Sequence, residues 1–525
     1  MADIFIDVFN FIFTVILVGV FLAWLSLLSS MYQSFTKTPF LDIFENKSTT
    51  TPKVSVILPA RNEEEFISKC LETLGSQDYE NFEIIAIDDS SEDKTGEIIE
   101  KFSKENSKII HVSAKEKPEK WMGKNWACME GFRKATGEIL LFTDADTKFK
   151  KNVITLAVSH LQSENLDALT VIPRLRCIDT ITKITLPMLS TFLHSRYSAL
   201  NVNNPKKKVG YFFGSFFVIK RKVYEEIGTH EKVKQEIIED GALGKITKES
   251  GYALKMVRGE HLIEALYSRS AKEMWNGLKR LMVPLYHQSS STAVGVFFAV
   301  LFILFMPIPL LGYSIIAFEP NISFTTLLIS AIISTITIFS ASVMEAKMGL
   351  NISIINSTCA PIGGIIVVLG FLSGILHANK SSAVSWRGRK YSVKEFSQNY
   401  LKVWYIVAKI SKGYSLIKHN FVMANNGIVV GGVIATAAII FAVFVSFNSI
   451  ADNDTSELIV TNGNYGETVG EVTGIERSYE YSLIDICEKS EASIVQVSVV
   501  RGESDGGMGS GFVYSDEGYV ITNQH

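Results

Sequence analysis

The apolar residues of this chain are concentrated in five uncharged runs, each about long enough to cross the hydrocarbon core of a bilayer. These runs leave only 20% charged residues in the whole chain, below the roughly 25% of ordinary soluble proteins. We therefore predict an integral membrane protein with about five transmembrane helices. The predicted spans are residues 8–28, 293–317, 323–343, 354–376 and 427–449.

The stretches between the runs differ in composition and predict separate domains. Asp3 and Asp7 precede the first run and no small-residue cleavage site follows it, which favours a retained anchor over a cleaved signal peptide. The predicted organisation is an anchor at 8–28, an α/β domain at 50–285, a transmembrane bundle at 293–376, a basic loop at 377–426, a transmembrane helix at 427–449, a polar linker at 450–480 and a β-rich segment at 481–525.

Charge around the runs predicts an orientation. Residues 377–426 hold nine Lys or Arg against one acid, whereas residues 450–525 hold three against fourteen. The positive-inside rule places the first stretch in the cytoplasm and the second outside the cell membrane. If residues 50–285 are also cytoplasmic, an even number of crossings separates them from the basic loop, yet three runs lie between. Either one run is re-entrant or the 293–317 run is broken at its prolines, and the sequence leaves both open.

Net charge and cysteines exclude several classes of protein. A net charge of −3 excludes a globally basic nucleic-acid binder and a polyacidic disordered chain, so no nucleic-acid partner is expected. The five cysteines lie far apart without a CxxC pair, which indicates neither a disulfide framework nor a structural zinc site.

Residues 50–285 alternate strand and helix patterns, which predicts a mostly parallel sheet with helices on both faces. Three apolar strand runs end in polar clusters: VSVILP before ARNEEE, FEIIAI before DDSS, and EILLFT before DAD. In such sheets, ligands bind outside the carboxyl ends of the strands. The polar clusters therefore predict one ligand-binding crevice.

Each cluster also has a plainer interpretation. The DDSS segment is equally consistent with a solvated turn and helix cap, and a lone Asp-x-Asp pair is common in loops. However, Asp144 and Asp146 directly follow an apolar strand, and such carboxylates suit Mg²⁺ or Mn²⁺ that also bridges phosphate oxygens. A P-loop is disfavoured because no GxxxxGK[ST] segment precedes them.

Taken together, the clusters resemble family 2 glycosyltransferases with the GT-A fold. WMGKNWA, FTDADT and the later WRGRKY look most like the membrane-bound branch associated with hopanoid and carotenoid glycolipids. The resemblance covers about residues 50–285, and its motifs occur in the family's order: VSVILPARNEEE at 54–65, IAIDDSSEDKTGEI at 85–98, WMGKNWA at 121–127, LLFTDADT at 140–147, GSFFVIKRKVYEEIG at 214–228 and IIEDGALG at 237–244.

The resemblance implies a role for each matched residue. Asp240 corresponds to the catalytic base of inverting transfer, although a surface acid near a helix start is the plainer alternative. Asp144 would bind the nucleotide, Asp146 the metal and Lys124 the diphosphate. Four residues, Ala60, Arg61, Glu63 and Asp89, would hold the base and ribose, and the acceptor side would be lined by Gly214, Ser215 and Glu239.

One departure from the family bears on the product. Processive polysaccharide synthases carry a Gln-x-x-Arg-Trp motif, whereas residues 269–275 here read RSAKEMW. This favours a single transfer to a lipid over polymer extrusion. Trp275 either shapes the acceptor pocket or anchors an interfacial helix, and residues 269–282 have the composition of such a helix.

The end of the chain resembles a different family. Alternation in SIVQVSVV and the glycine-rich GMGSGF predict antiparallel strands. GSGFVYSDEGYVITNQH resembles the start of HtrA-type trypsin-like serine proteases, which would make His525 the catalytic base of a partial barrel. Because a triad needs three groups, we expect no protease activity from this chain.

The sequence thus predicts an inverting, metal-dependent glycosyltransferase of hexosyl type in a multi-pass membrane protein. Its catalytic domain would be cytoplasmic and its tail extracytoplasmic. The expected partners are a UDP- or GDP-linked sugar, Mg²⁺ or Mn²⁺, and a lipid or isoprenoid acceptor. The alternatives are a polysaccharide synthase, a membrane-anchored HtrA-type protease that is incomplete here, and a membrane scaffold with a decayed transferase domain.

Overall fold

Ten strands between residues 54 and 268 form the framework of the α/β domain. The strands are β1 Val54–Ala60, β2 Phe82–Asp88, β3 Ile109–Ser113, β4 Ile139–Phe142, β5 Thr147–Phe149, β6 Ala168–Ile172, β7 Arg174–Cys177, β8 Phe217–Lys220, β9 Leu254–Arg258 and β10 Ile263–Ser268.

The structure is a computed structural model that describes residues 2–44, 50–378, 384–387, 389–391, 494–501, 505–513 and 520–522. The helices in it are α1 Ala2–Lys37, α2 Ile67–Gly75, α3 Thr95–Glu105, α4 Gly123–Lys134, α5 Val153–Ser163, α6 Thr180–Tyr197, α7 Ala199–Asn203, α8 Arg221–Glu226, α9 Thr229–Lys232, α10 Glu239–Glu249, α11 Ala271–Gln288, α12 Ser290–Leu304, α13 Pro307–Ile316, α14 Ile322–Met344 and α15 Ala360–His377. The helices α2 to α11 belong to the α/β domain, whereas α1 and α12 to α15 are the apolar helices.

The main sheet has the strand order β3-β2-β1-β4-β8-β6-β9. The strands β3, β2, β1 and β4 are mutually parallel, and β8 runs antiparallel to both of its neighbours. All seven residues of β1 are buried, because helices cover both faces of the sheet. A parallel strand of this kind is apolar throughout rather than alternating. The predicted GT-A-like α/β fold with a mostly parallel sheet is therefore confirmed.

The two faces of the sheet have separate cores. On one face, Val56 and Leu58 of β1 pack in a cluster with residues of α2, α3 and α5. On the other face, Ile57 packs in a cluster with residues of α4, α7, α8 and α10. The alternation of side chains along β1 assigns neighbouring residues to opposite cores.

A second sheet of three strands, in the order β5-β10-β7, continues from the edge of the site. The strand β5 begins at Thr147, directly after Asp146, and pairs antiparallel with β10 at Ala265. Three residues after β10 ends, α11 begins. This pairing holds α11 next to the carboxyl ends of β1 and β4.

The helix α10, which carries Asp240, packs unusually close to the segment before β8. A Cβ atom built on Gly210 would lie 1.9 Å from the backbone oxygen of Gly244, and both glycines are buried. Only a residue without a side chain permits this approach. The close contact fixes the position of α10 relative to residues 210–214.

We expect Gly210→Ala to destabilise the protein by about 1–3 kcal/mol, because backbone must move to admit the methyl group. Thermal unfolding of the detergent-solubilised chain measures the effect. The control is Gly312→Ala, where the added Cβ meets nothing within 4 Å. Equal unfolding midpoints for the two variants would contradict the close packing described above.

Three helical segments are long and apolar enough to cross a membrane: Ile4–Lys37, Ile322–Gly349 and Ile354–His377. Their buried faces pack in one cluster that includes Trp24, Ile338 and Phe371. A fourth candidate is the pair α12 and α13, which are bent by 52° relative to each other. The predicted span at 427–449 lies outside the described residues. Within the described part of the chain, the count is three, or four if the bent pair is one span.

The candidate span at 293–317 is not one continuous helix. The α12 helix ends at Leu304, and α13 begins at Pro307. Proline lacks an N–H and is well tolerated in the first turn of a helix but not in its interior, so a new helix starts there. The sequence alternative in which this run is broken at its prolines describes the structure.

Two helices of the α/β domain, α6 and α11, pack against the apolar helices. Met188 and Leu189 of α6 are buried in the same cluster as the apolar helices α1 and α15. The α11 helix contributes Met274, Leu278 and Met282 to that cluster. The α/β domain thus packs on the apolar helices through α6 and α11, and α11 extends to Gln288, past the predicted boundary at residue 285.

Beyond α15, a two-stranded antiparallel hairpin follows, with β11 at Val384–Trp386 and β12 at Arg389–Tyr391. Residues 457–525 form a separate unit with three antiparallel strands, β13 Ile494–Arg501, β14 Asp505–Val513 and β15 Val520–Thr522. The antiparallel pairing agrees with the predicted strands, but it is common to many β folds. The protease resemblance stays a prediction, and His525 lies outside the described residues.

Candidate active site

The three polar clusters that follow β1, β2 and β4 lie at one edge of the main sheet. The register pairs Ala60 with Asp88 and Ile57 with Phe142, so the three strands end side by side. A cavity of about 240 Å³ opens at this edge. It is lined by seven of the residues predicted from the sequence, namely Ala60, Arg61, Glu63, Asp89, Lys124, Asp144 and Asp146.

Lys124 lies at the centre of a group of acids. It is the second residue of α4, and its Nζ lies 2.8 Å from Asp144 Oδ1 and 2.7 Å from Glu239 Oε1. Burial lowers the pKa of Lys124, but the carboxylates of Asp144, Glu239 and Asp240 outweigh it and raise the pKa well above its ordinary value. Lys124 is therefore a fixed cation at neutral pH.

Asp240 reaches this group from the first turn of α10. Its Oδ1 accepts a 2.7 Å hydrogen bond from the backbone N–H of Gly241. Burial and the neighbouring Glu239 carboxylate raise the pKa of Asp240 to about 7, although Lys124 acts in the opposite direction. A carboxyl group that titrates near neutral pH is suited to general base catalysis.

Gly214 lies between Asp240 and Lys124. A Cβ atom at this position would lie 2.6 Å from Asp240 Oδ2 and 3.2 Å from Lys124 Nζ. The glycine therefore leaves the space in which these charged groups approach each other. Ser215, the next residue, is buried, and its carbonyl oxygen accepts a hydrogen bond from Thr143 Oγ1 at 2.8 Å. Among the predicted acceptor-side residues, Gly214 adjoins the charged group and Ser215 supports the backbone behind it.

A second charged group surrounds Glu63 and Asp146. Arg387 reaches it from the hairpin turn and lies 2.9 Å from Glu63, 3.2 Å from Asp146 and 2.7 Å from Glu273. Arg269 forms a further ion pair with Glu63. Burial and the neighbouring Asp144 carboxylate raise the pKa of Asp146 to about 6, although Arg387 acts in the opposite direction.

Asp89 and Arg61 form the third part of the site. Arg61 Nη1 donates to the backbone oxygen of Asp89 at 2.7 Å, and Arg61 also pairs with Glu92. The carboxylate of Asp89 forms an ion pair with Arg389 of the hairpin. Both arginines thus hold the segment that follows β2.

The α11 helix covers the cavity on the side of the apolar helices. Met274, Gly277 and Arg280 line the cavity at a spacing of three residues, which places them along one face of the helix. Of the carboxylates that the structure describes, none lies within 4.0 Å of the Arg280 guanidinium. Trp275 is half-buried on α11 and is not among the residues that line the cavity.

The site residues that sequence reasoning missed are Arg269, Glu273, Arg280, Arg387 and Arg389. Two of them belong to WRGRKY, which the sequence singled out only as a resemblance. The available signal was the Arg-Gly pair between two short β-type segments, which is consistent with a two-residue hairpin turn. That signal predicts the hairpin but not the element it contacts.

A metal ion would need ligands from outside the protein here. Across the described residues, no group of three or more His, Cys, Asp or Glu is arranged to hold a metal ion. Asp144 and Asp146 supply two carboxylates. This number is typical of Mg²⁺ or Mn²⁺ sites in which substrate phosphates provide further ligands.

Comparison with known families finds a match for most of the α/β domain. Residues 55–228 match the family model described as glycosyl transferase family 2. The predicted resemblance to family 2 glycosyltransferases is therefore confirmed over residues 55–228.

Relatives extend the comparison beyond the domain. The chain is 25% identical over 353 residues to the 4,4'-diaponeurosporenoate glycosyltransferase of Staphylococcus haemolyticus, which covers 67% of this chain and 91% of that protein. It is 33% identical over 123 residues to the poly(ribitol-phosphate) beta-N-acetylglucosaminyltransferase TarS of Staphylococcus aureus, covering 23% of this chain and 20% of TarS.

Among solved structures, the chain is similar to the mannosyltransferase PcManGT from Pyrobaculum calidifontis in complex with GDP-Man and Mn²⁺. The identity is 17% and the TM-score 0.40, over 70% of this chain and 98% of that one. It is also similar to S. aureus TarS 1–349 in complex with UDP-GlcNAc, at 15% identity and a TM-score of 0.31, over 62% and 91% of the two chains.

Proposed function

We propose that this protein is an inverting glycosyltransferase that moves a hexose-type sugar from a UDP- or GDP-linked donor to a membrane lipid. The observation that carries this proposal is the position of Asp240. Its carboxyl lies beside Lys124 and Asp144 at the strand ends, and its pKa is raised to about 7. A base in this state adjoins the predicted donor site.

Asp240 would take the proton of the acceptor hydroxyl as that oxygen attacks the anomeric carbon. The bond from the anomeric carbon to the diphosphate oxygen breaks on the opposite face, and the electron pair leaves with the diphosphate. Lys124 would stabilise the charge that develops on that oxygen, because it is a fixed cation in a partly buried site. Arg280, which lines the cavity and has no described carboxylate within 4.0 Å, is suited to a further phosphate oxygen.

The proposed cofactor is Mg²⁺ or Mn²⁺, bound through Asp146 and the donor phosphates. When bound, such an ion neutralises the leaving diphosphate. Glu63, Arg61 and Asp89 line the other end of the cavity and would hold the base and ribose. Glu239, which holds Lys124 at 2.7 Å, would act on the acceptor side through that cation.

A lipid acceptor is supported by the placement of α11. This helix lines the cavity with Met274 and Gly277, and it packs with Leu278 and Met282 in the cluster of apolar helices. An acceptor hydroxyl at the surface of the bilayer would therefore meet the site along α11. The relative from S. haemolyticus is named for a carotenoid acceptor, which supports an isoprenoid lipid.

The hairpin contacts also support a topology. Since Arg387 contacts Glu63 and Asp146, the hairpin and the α/β domain would lie on the same side of the membrane. An even number of crossings between them follows if α14 and α15 cross while the bent pair α12–α13 enters and returns. With the positive-inside rule, that side is the cytoplasm.

The test uses purified membranes that contain the protein, a panel of labelled UDP- and GDP-sugars, total lipid and Mn²⁺ or Mg²⁺. We expect label in the organic phase from one donor and its loss on addition of EDTA. Absence of label from lipid together with absence of donor hydrolysis, across the whole panel, would overturn the proposed function.

A further inference from the structure

The 384–391 hairpin, which follows the last described apolar helix, places two arginines on acids of the candidate donor site. Arg387 contacts Glu63, Asp146 and Glu273, whereas Arg389 contacts Asp89. The Arg387 side chain is only 12% exposed. The two arginines are separated by a single residue, yet they reach acids that follow different strands of the sheet.

The backbone at Arg387 is held in a strained conformation. Its φ is 46°, in the left-handed region that residues with a side chain rarely adopt. The carbonyl oxygen of Arg387 accepts a 3.2 Å hydrogen bond from Arg61 Nε, so the turn is attached to the strand end of β1. Strain of this kind persists where surrounding contacts enforce it, and it is concentrated at functional sites.

The charges around Asp146 explain why a cation is needed there. Asp144 and Glu63 both raise the local negative charge, and the Asp146 side chain is 12% exposed. Partly buried acids in one crevice repel each other unless a cation lies among them. Arg387 supplies such a cation at Asp146, and Arg269 adds to it.

A divalent cation and Arg387 compete for the same carboxylate. The guanidinium Nη2 lies 3.2 Å from Asp146 Oδ2, and a Mg²⁺ ligand oxygen lies at about 2.0–2.1 Å from the ion. Two positive groups at one carboxylate in a partly buried site repel strongly. An ion that binds at Oδ2 would therefore displace Arg387 from Asp146.

From these contacts we infer that Arg387 is a further residue of the donor site, with two alternative partners. Without ligand it holds Asp146 in place of the divalent cation, and with metal and donor bound it transfers to the diphosphate. A guanidinium is suited to this exchange because it pairs with carboxylate and phosphate oxygens in the same planar geometry. This inference depends on the proposed function, since it presupposes a nucleotide diphosphate at Asp146.

The test measures Mn²⁺ binding by electron paramagnetic resonance on the full chain in detergent, without nucleotide. We expect Arg387→Gln to bind Mn²⁺ about tenfold more tightly than the unaltered protein, because a competing positive charge is gone. The matched control is Lys272→Gln, which removes an exposed positive charge from α11 outside the cavity lining, and its Mn²⁺ affinity is expected to equal that of the unaltered protein.

A second measurement follows UDP and uridine affinity at saturating Mn²⁺. Arg387→Gln is expected to weaken UDP binding about tenfold and to leave uridine binding unchanged, since only UDP carries the diphosphate. Arg387→Gln is thus expected to strengthen Mn²⁺ binding and to weaken UDP binding, whereas a general loss of structure would weaken both. Thermal unfolding of each variant verifies that it is folded. Arg387→Lys retains the charge, and its Mn²⁺ and UDP affinities are expected to lie between those of the unaltered protein and of Arg387→Gln.

The outcomes separate this inference from the proposed function. If Asp146→Asn abolishes Mn²⁺ binding while Arg387→Gln leaves Mn²⁺ or UDP affinity unchanged, the inference is wrong and the donor site stands. If Asp146→Asn leaves Mn²⁺ binding intact with UDP present, the proposed metal site itself is wrong. Weaker Mn²⁺ binding by Arg387→Gln also overturns the exchange.

Discussion

Replacing Asp240 with Asn is expected to lower kcat by a factor of about 10²–10⁴, the usual contribution of a positioned general base. Donor affinity should be retained, because the carboxyl of Asp240 adjoins Lys124 and Gly214 and does not line the donor cavity. Initial rates of label transfer to lipid, together with UDP affinity, measure the two quantities separately.

The pH dependence gives an independent check on Asp240. The group is active as the carboxylate, and its pKa is raised to about 7, so kcat/KM should rise with pH and level off above that value. The control is Asp78→Asn, an exposed aspartate whose carboxylate accepts a hydrogen bond from Thr155. Full activity of Asp240→Asn, or an acid limb that ends far below pH 6, would contradict the assignment of the base.

Replacing Lys124 with Gln is expected to lower kcat/KM by about 10² or more, because a cation aimed at the developing charge is lost. The same change should move the acid limb of the pH profile upwards. Lys124 holds the pKa of Asp240 down, so its removal leaves burial and Glu239 to raise that pKa further. A pH–rate profile of lipid labelling measures both effects.

Two further variants define what the Lys124 result means. Lys124→Arg retains the charge and should keep the acid limb near its original position. Lys134→Gln removes an exposed lysine from the last turn of the same helix, α4, and should change neither rate nor pH profile. An acid limb that stays in place in Lys124→Gln would show that Lys124 and Asp240 are not electrostatically linked.

The strand-end clusters could be predicted because they depend on local sequence. The apolar run Val54–Ala60 indicates a buried parallel strand, and all seven of its residues are buried. Parallel strands bring their carboxyl ends to one edge, so the acids after β2 and β4 had to lie near Arg61 and Glu63. The order of motifs then pointed to the family whose model matches residues 55–228, without any knowledge of distances.

The arginines around the site could not be predicted in the same way. Arg387 is 241 residues from Asp146 and 326 residues from its backbone partner Arg61. No local pattern specifies such contacts, since they depend on how the apolar helices return the chain to the α/β domain. Trp275 does not line the cavity, and its role as an acceptor-side residue or an interfacial anchor stays a prediction.

The membrane segments also include features that the sequence predicts and one that only the structure shows. Length and lack of charge were enough to identify Ile322–Gly349 and Ile354–His377 as candidate spans. Composition could not decide whether 293–317 crosses once, because that depends on the 52° bend between α12 and α13. Whether the number of membrane crossings is even or odd therefore depends on the angle between α12 and α13, which hydropathy does not report.

Sequence alone determined the class of this protein: apolar segments, a parallel α/β domain and the acids that follow its strands. These features depend on residue type and short-range periodicity, which hydrophobic burial and strand geometry translate directly into structure. Only the tertiary structure decided which charges neutralise one another. Lys124 with Glu239 and Arg387 with Asp146 are pairs whose strength depends on distance and burial, and both are set by packing between elements distant along the chain.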